Sequence, residues 1–162
     1  MKGTTHLAAG VTAALLLASK GVVPAAAIIA GSVLPDIDSP KSLVGRHWPI
    51  IPKLLSHRTI THSFLFYAGA YLLSPYLALG ILIHIFLDML NPKGVKFFWP
   101  CGATIRVPII SKHLPEDGRF DNCLGGALYF YNVYLLFCLI MQRPAVNILL
   151  AAKGYIVTTL GL

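Results

Sequence analysis

His84 and Asp88 stand four residues apart in GILIHIFLDML, a stretch with no other polar side chain. On a helix that spacing puts both on one face, about one turn apart. A buried carboxylate with no partner is expensive, and a divalent cation would satisfy the imidazole and the carboxylate together. The plainer alternative is a His–Asp hydrogen bond facing a wet cavity. Asp36 and Asp38 form a D-x-D within LPDIDSP. In an extended loop, residues i and i+2 point the same way, and two hard oxygens suit Mg, Mn or Zn, or a two-metal cluster. Loop acids paired with Lys41 or Arg46 would be the ordinary reading. His57 and His62 flank HRTITHS, which reads as a loop ligand followed by a ligand at a helix start, with Thr59 or Thr61 as the cap. Neutral imidazole is a common ligand for zinc and related metals. His6 is a lone histidine near the N-terminus and gains weight only from landing on the same face. His47 and His113 lie in basic loops and are kept outside the set.

These residues need elements that bring them together. The chain has 162 residues, of which 56% are hydrophobic and 12% charged, and its mean hydropathy is +0.72. The apolar share exceeds the roughly 45–50% of globular chains and points to a membrane protein. One domain, residues 1–162, is expected. Three cysteines, Cys101, Cys123 and Cys138, lack the short spacing of a Cys-based zinc site and argue against a disulfide framework. Residues 7–18 are apolar, but so is the stretch that follows, so the start does not read as a cleaved signal peptide.

The expected fold is all-α, a membrane-embedded bundle of about six short hydrophobic helices at 6–19, 22–34, 63–73, 76–90, 124–141 and 145–160. Pro24 and Pro75 suit helix starts. Each segment is shorter than the roughly 20 residues of a simple spanning helix, so some are expected to be tilted, re-entrant or monotopic. If all six cross, residues 1–5, 35–62, 91–123 and the C-terminus share one side. That side holds Lys2, Lys41, Arg46, Lys53, Arg58, Lys93, Lys96, Arg106, Lys112 and Arg119. Positive charge marks the cytoplasmic side of a membrane, so 35–62 and 91–123 are two basic cytoplasmic loops. The net charge of +7 is then topological, and no nucleic-acid partner is expected. The same arithmetic delivers His6, Asp36, Asp38, His57, His62, His84 and Asp88 to one membrane face. Mixed N and O donors favour Zn, Mn or Fe over Ca, with one or two ions.

THLAAG, GSVLPDIDSPKS, HRTITHS, LGILIHIFLDMLNPKGVKFFWP and TIRVPI resemble the YdjM-type bacterial inner-membrane proteins, a family described as membrane-bound metal-dependent hydrolases. The resemblance runs through about residues 3–110, in order and with spacing kept. It implies a multi-pass protein of the bacterial cytoplasmic membrane, a hydrolase, and a polar set of His6, Asp36, Asp38, His57, His62, His84 and Asp88. Asn91, Gly94 and Trp99-Pro100 are expected to shape the turn after the fourth helix.

Together these readings give an enzyme in which a bound divalent metal acidifies a water. Asp38 is the expected general base or bridging ligand. Arg58 would steady an anionic group, since guanidinium matches phosphate and carboxylate geometry. Placement at the membrane makes lipid the expected partner and an amphiphilic molecule, such as a phospholipid or lipid-linked phosphoester, the expected substrate. Two other functions fit the same residues. One is an ion or solute transporter, which a site near the midplane would favour. The other is a structural or regulatory protein whose metal staples helices, which a fully protein-filled coordination shell would favour.

Overall fold

The computed structural model describes residues 1–107 and 118–142. Six α-helices run through them: α1 Gly3–Leu16, α2 Val22–Val33, α3 Ile51–Leu54, α4 Phe64–Leu73, α5 Pro75–Met89 and α6 Arg119–Met141. Short 3-10 turns at Ala18–Lys20, Leu34–Asp38, Gly45–His47 and Ile60–His62 connect them. Among the described residues, extended pairing is limited to one antiparallel bridge between Val95 and Ile105. The described residues are all-helical, as expected, and the expected segment 145–160 lies outside them.

The helix boundaries follow local chemistry. Gly21 has φ +103 and ψ 177, a backbone state closed to side chains with a Cβ, and it reverses the chain between α1 and α2. Pro75 occupies the first turn of α5, where its missing N–H is no loss. Ser74 Oγ accepts the Leu77 N–H at 3.4 Å. Ser63 caps α4 in the same way, accepting the Phe66 N–H at 3.3 Å. Neither Thr59 nor Thr61 is that cap, because α4 starts later than the sequence suggested. Helix α6 opens at Arg119 rather than 124, taking in a polar first turn.

Helix α2 packs against both α1 and α5, and α6 packs along α1. Two glycines set the α2–α5 distance. A Cβ on Gly31 would lie 2.2 Å from the Leu77 carbonyl oxygen, and one on Gly80 would lie 2.2 Å from that of Ile28. Ala70, Ala78, Ile81, Ile85 and Val95 form the apolar core. The interior is only partly apolar, however. His6, His62, His84, Asp38 and Asp88 rank among the largest fully buried side chains.

Helix length revises the picture of six crossings. Among the described residues, only α6, with 23 residues, is long and apolar enough to cross a membrane. It measures about 35 Å at 1.5 Å per residue, against a hydrocarbon core of about 30 Å. Helices α1, α2, α4 and α5 have 14, 12, 10 and 15 residues. The ends of α2 and α5, and the turn before α4, meet at the buried polar cluster.

Candidate metal centre

Four separate pieces of chain build the cluster. Helix α1 supplies His6, the 3-10 turn after α2 supplies Asp36 and Asp38, and residues 57–62 supply His57 and His62. Helix α5 supplies His84 and Asp88. All seven residues named from the sequence meet here. Three overlapping groups each offer donor atoms within 4.8 Å of one another: Asp36, Asp38, His57 and His62; His6, Asp36 and His84; His62, His84 and Asp88. His6, His62 and His84 are fully buried, Asp38 and Asp88 are 1% exposed, and His57 reaches the surface.

Three of the four imidazoles are held by their outward nitrogens. His84 Nδ1 donates to the Ser32 carbonyl at 2.8 Å, which leaves its Nε2 lone pair facing inward. His57 Nδ1 lies 2.6 Å from Asp38 Oδ1. His62 Nδ1 faces Asp38 Oδ2 at 3.4 Å, and its Nε2 sits 3.2 Å from His84 Nε2. The His6 ring stacks on His84 with centroids 3.8 Å apart. His6 Nε2 comes within 3.3 Å of Asp88 Oδ1 but off hydrogen-bond alignment, so both of its buried ring nitrogens stay unpartnered.

The two aspartates of D-x-D play different parts. Residues 34–38 form a 3-10 helix rather than the expected extended loop. At three residues per turn, Asp36 and Asp38 diverge instead of pointing the same way. Asp36 turns toward His84, with Oδ1 3.7 Å from Nε2, and its carboxylate takes no hydrogen bond from the described residues. Asp38 faces His57 and His62 and also accepts the Arg58 N–H at 3.1 Å and the Thr61 hydroxyl.

The electrostatics follow the partners. Burial pushes the Asp36 carboxyl up, with Asp88 adding to the push and His6 opposing it. Burial would raise Asp38 too, but the imidazoles of His57 and His62 hold it well below the usual carboxylate range. Burial works against a proton on His62, yet the facing carboxylates of Asp38 and Asp88 outweigh it and push its pKa up to about 9.

Asp88 gathers the cations. Arg58 Nε lies 3.2 Å from its Oδ2, Arg58 Nη2 donates to Oδ1 at 3.3 Å, and the Met1 amino group lies 2.9 Å from Oδ1. Arg58 has φ +64, an uncommon state for a residue with a side chain. That state lets its main chain reach Asp38 while its guanidinium reaches Asp88. The sequence reading missed Thr61 as a support for Asp38 and Ser32 as the anchor of His84. The Ser32 partner is a main-chain carbonyl, which no residue type announces. His47 is exposed, and His113 lies outside the described residues.

These donors fit a divalent ion. The hydrogen-bonded Nε2 atoms of His62 and His84, 3.2 Å apart, have about the spacing of two tetrahedral ligands at about 2.0–2.1 Å from one metal, so an ion would replace the proton they share. One of the His6 ring nitrogens, buried without a hydrogen bond, would be satisfied by such an ion, and unpaired buried polar atoms are rare.

Residues 1–145 match the family described as YdjM inner membrane protein. The chain is 35% identical over 134 residues to the inner membrane protein YdjM of Escherichia coli K12, an alignment covering 70% of this chain and 66% of that protein. The YdjM protein of Shigella flexneri matches equally. An uncharacterized protein of Bacillus subtilis, YvsG, is 30% identical over 159 residues, covering 83% of this chain and 97% of its own length. The chain thus spans 66% of the length of the two YdjM relatives. No solved structure matches it.

Proposed function

The chain belongs to the YdjM inner membrane protein family, and on that premise we propose that it is a membrane-bound metal-dependent hydrolase of the bacterial inner membrane. The helices form a membrane-embedded unit whose site opens on the cytoplasmic face, where the basic loops cluster. One observation carries the reading. Seven His and Asp side chains, distant in sequence, converge as three overlapping donor groups in a chain with only six acids.

A bound divalent ion, zinc first and Mn or Fe next, as one ion or two, supplies Lewis acidity and a more acidic water. The rest falls to the chain's own residues. His6, His62, His84, Asp36 and Asp88 form the inner ligand pool. Asp38 takes a positioning role rather than the expected bridging one, because its oxygens already hold His57 and His62 and accept from the Arg58 N–H and the Thr61 hydroxyl. A carboxylate behind an imidazole fixes its tautomer and direction. Asp36, with no hydrogen bond from the described residues, is the carboxylate placed to accept a proton. Arg58 is the guanidinium that would meet an anionic group of the substrate. Membrane placement favours a phospholipid or a lipid-linked phosphoester.

Metal analysis of the detergent-purified chain tests this. About one or two transition-metal ions per chain are expected, falling to background in His62→Ala. A metal-free wild type would refute the proposal. A screen of phosphoester and ester substrates then tests turnover. Burial favours a second reading, in which the metal staples four pieces of chain. A stoichiometric metal without exchangeable water or turnover would establish that reading.

A further inference from the structure

The loop between the D-x-D turn and His57 carries an exposed run that the metal centre does not use. In RHWPIIPKL, residues 46–54, the side chains of Trp48, Ile50 and Leu54 are 58%, 69% and 77% exposed. Arg46 and Lys53 are exposed among them, and Lys41 shortly before. We propose that this segment is an interfacial anchor that seats in the headgroup layer of an anionic lipid leaflet. The proposal rests on the membrane-bound reading above and not on the hydrolase reading.

A single exposed apolar side chain is ordinary, whereas a cluster rimmed by polar groups marks an interaction surface. Charge selects the partner. No Asp or Glu occurs between Asp38 and Asp88, so the three cations face no acid of their own segment. Apolar side chains interleaved with Lys and Arg are what anionic lipid attracts. Tryptophan is favoured at headgroup level, where one end of its ring system is apolar and the other wet.

The main chain suits a layer of low dielectric. The N–H groups of His47, Trp48, Ile51, Lys53 and Leu55 donate to carbonyls within residues 44–51, and Pro49 and Pro52 have no N–H to lose. Unpaired main-chain groups are what keep most loops out of lipid.

The segment also lies at the right level. Its turns at Gly45–His47 and Ile51–Leu54 pack on the 3-10 turn that holds Asp36 and Asp38. The crossing helix α6 begins beside the same centre, where Asp121 accepts the Lys2 backbone N–H at 2.6 Å, about one turn from His6. On the membrane-bound reading, the polar end of α6, the metal centre and the anchor share one membrane face.

Trp48 is its own probe, because Trp99→Phe leaves it the sole tryptophan. The full Trp99→Phe chain is placed in lipid nanodiscs of phosphatidylcholine, alone or mixed with phosphatidylglycerol. Quenching of Trp48 is read with lipids brominated high in the acyl chain and with iodide in the water. With phosphatidylglycerol, Trp48 should be quenched by the bromolipid and shielded from iodide. The ratio of shielded to open states should fall about fivefold for each cation removed, in Arg46→Gln and in Lys53→Gln, as the surface attraction per basic residue implies. Ile50→Ser combined with Leu54→Ser should leave Trp48 open to iodide. All of these variants should keep the parent's helicity and metal content. Full iodide access in phosphatidylglycerol discs would overturn the anchor. Equal shielding in both kinds of disc, or unchanged shielding in both Gln variants, would overturn its assignment to anionic lipid. Failure of the chain to elute with the discs would instead overturn the membrane-bound reading.

Discussion

Between α2 and α5 the backbones touch, whereas α6 meets the rest along one side only, against α1, and turns its large side chains outward. At the first interface Gly31 and Gly80 let carbonyls approach to where a Cβ would sit, and Ile28, Ala78, Ile81 and Ile85 are buried. On α6, Tyr129, Phe130, Tyr134 and Phe137 are exposed. Both regions are apolar in sequence, so hydrophobicity alone does not say which will pack. What separates them is residue size. Small residues let helices close on each other, and that closeness brings His84 within reach of the Ser32 carbonyl. Large aromatic residues leave α6 facing outward, as a helix in lipid would.

Three substitutions test that contrast. The largest effect is expected from Gly31→Leu, which drives a side chain into the Leu77 backbone. Overpacking commonly costs about 1–3 kcal/mol, and a backbone that cannot yield should place this change at or beyond the upper end. Thermal unfolding in detergent should show a lower Tm together with lost metal. A fully stable Gly31→Leu would mean that the close approach is not needed.

Asp38→Asn should do less, keeping shape while removing the charge that orients His57 and His62. Metal affinity, measured by competition with a chelator, should fall about 10–100-fold. Its pH dependence should change as well. In the metal-free chain His62 keeps its proton up to about pH 9, and ligation requires the neutral ring. Wild-type affinity should therefore rise by about tenfold per pH unit for one displaced proton and level off near 9. In Asp38→Asn the levelling should come at lower pH, because one carboxylate that raises His62 is gone.

Phe130→Leu on the exposed face of α6 should be nearly silent, within about 0.5 kcal/mol by thermal unfolding, with metal content unchanged. A large loss there would show that α6 is covered by protein.

The contrast also explains what could be read from sequence. The His84–Asp88 pair was legible because a four-residue spacing inside an apolar run fixes a helical face whatever surrounds it. The break at Ser74-Pro75 was legible because capping and proline chemistry are local. The shape of 34–38 was not. D-x-D reads the same in an extended loop and in a 3-10 turn, and the choice is made by His6, His57, His62 and His84 arriving from elsewhere. Arg58 in the left-handed region was equally hidden, since nothing local favours that state for arginine and its partners Asp38, Asp88, Gly94 and Lys96 come from elsewhere in the chain. The length of α6 was underestimated because its polar first turn, Arg119 to Asn122, is stabilised by contacts with α1 rather than by an apolar pattern.

Asp38 has one more consequence. By gripping His57 and the Arg58 amide, it ties residue 38 to residue 57 and makes the stretch between them a closed excursion. The entropy of closing such an excursion grows only slowly with its length, and residues 46–50 at its tip are exposed. Extra residues or a fluorescent label placed at the tip would hang from a knot that is already tied, giving a built-in handle for watching the site from outside it.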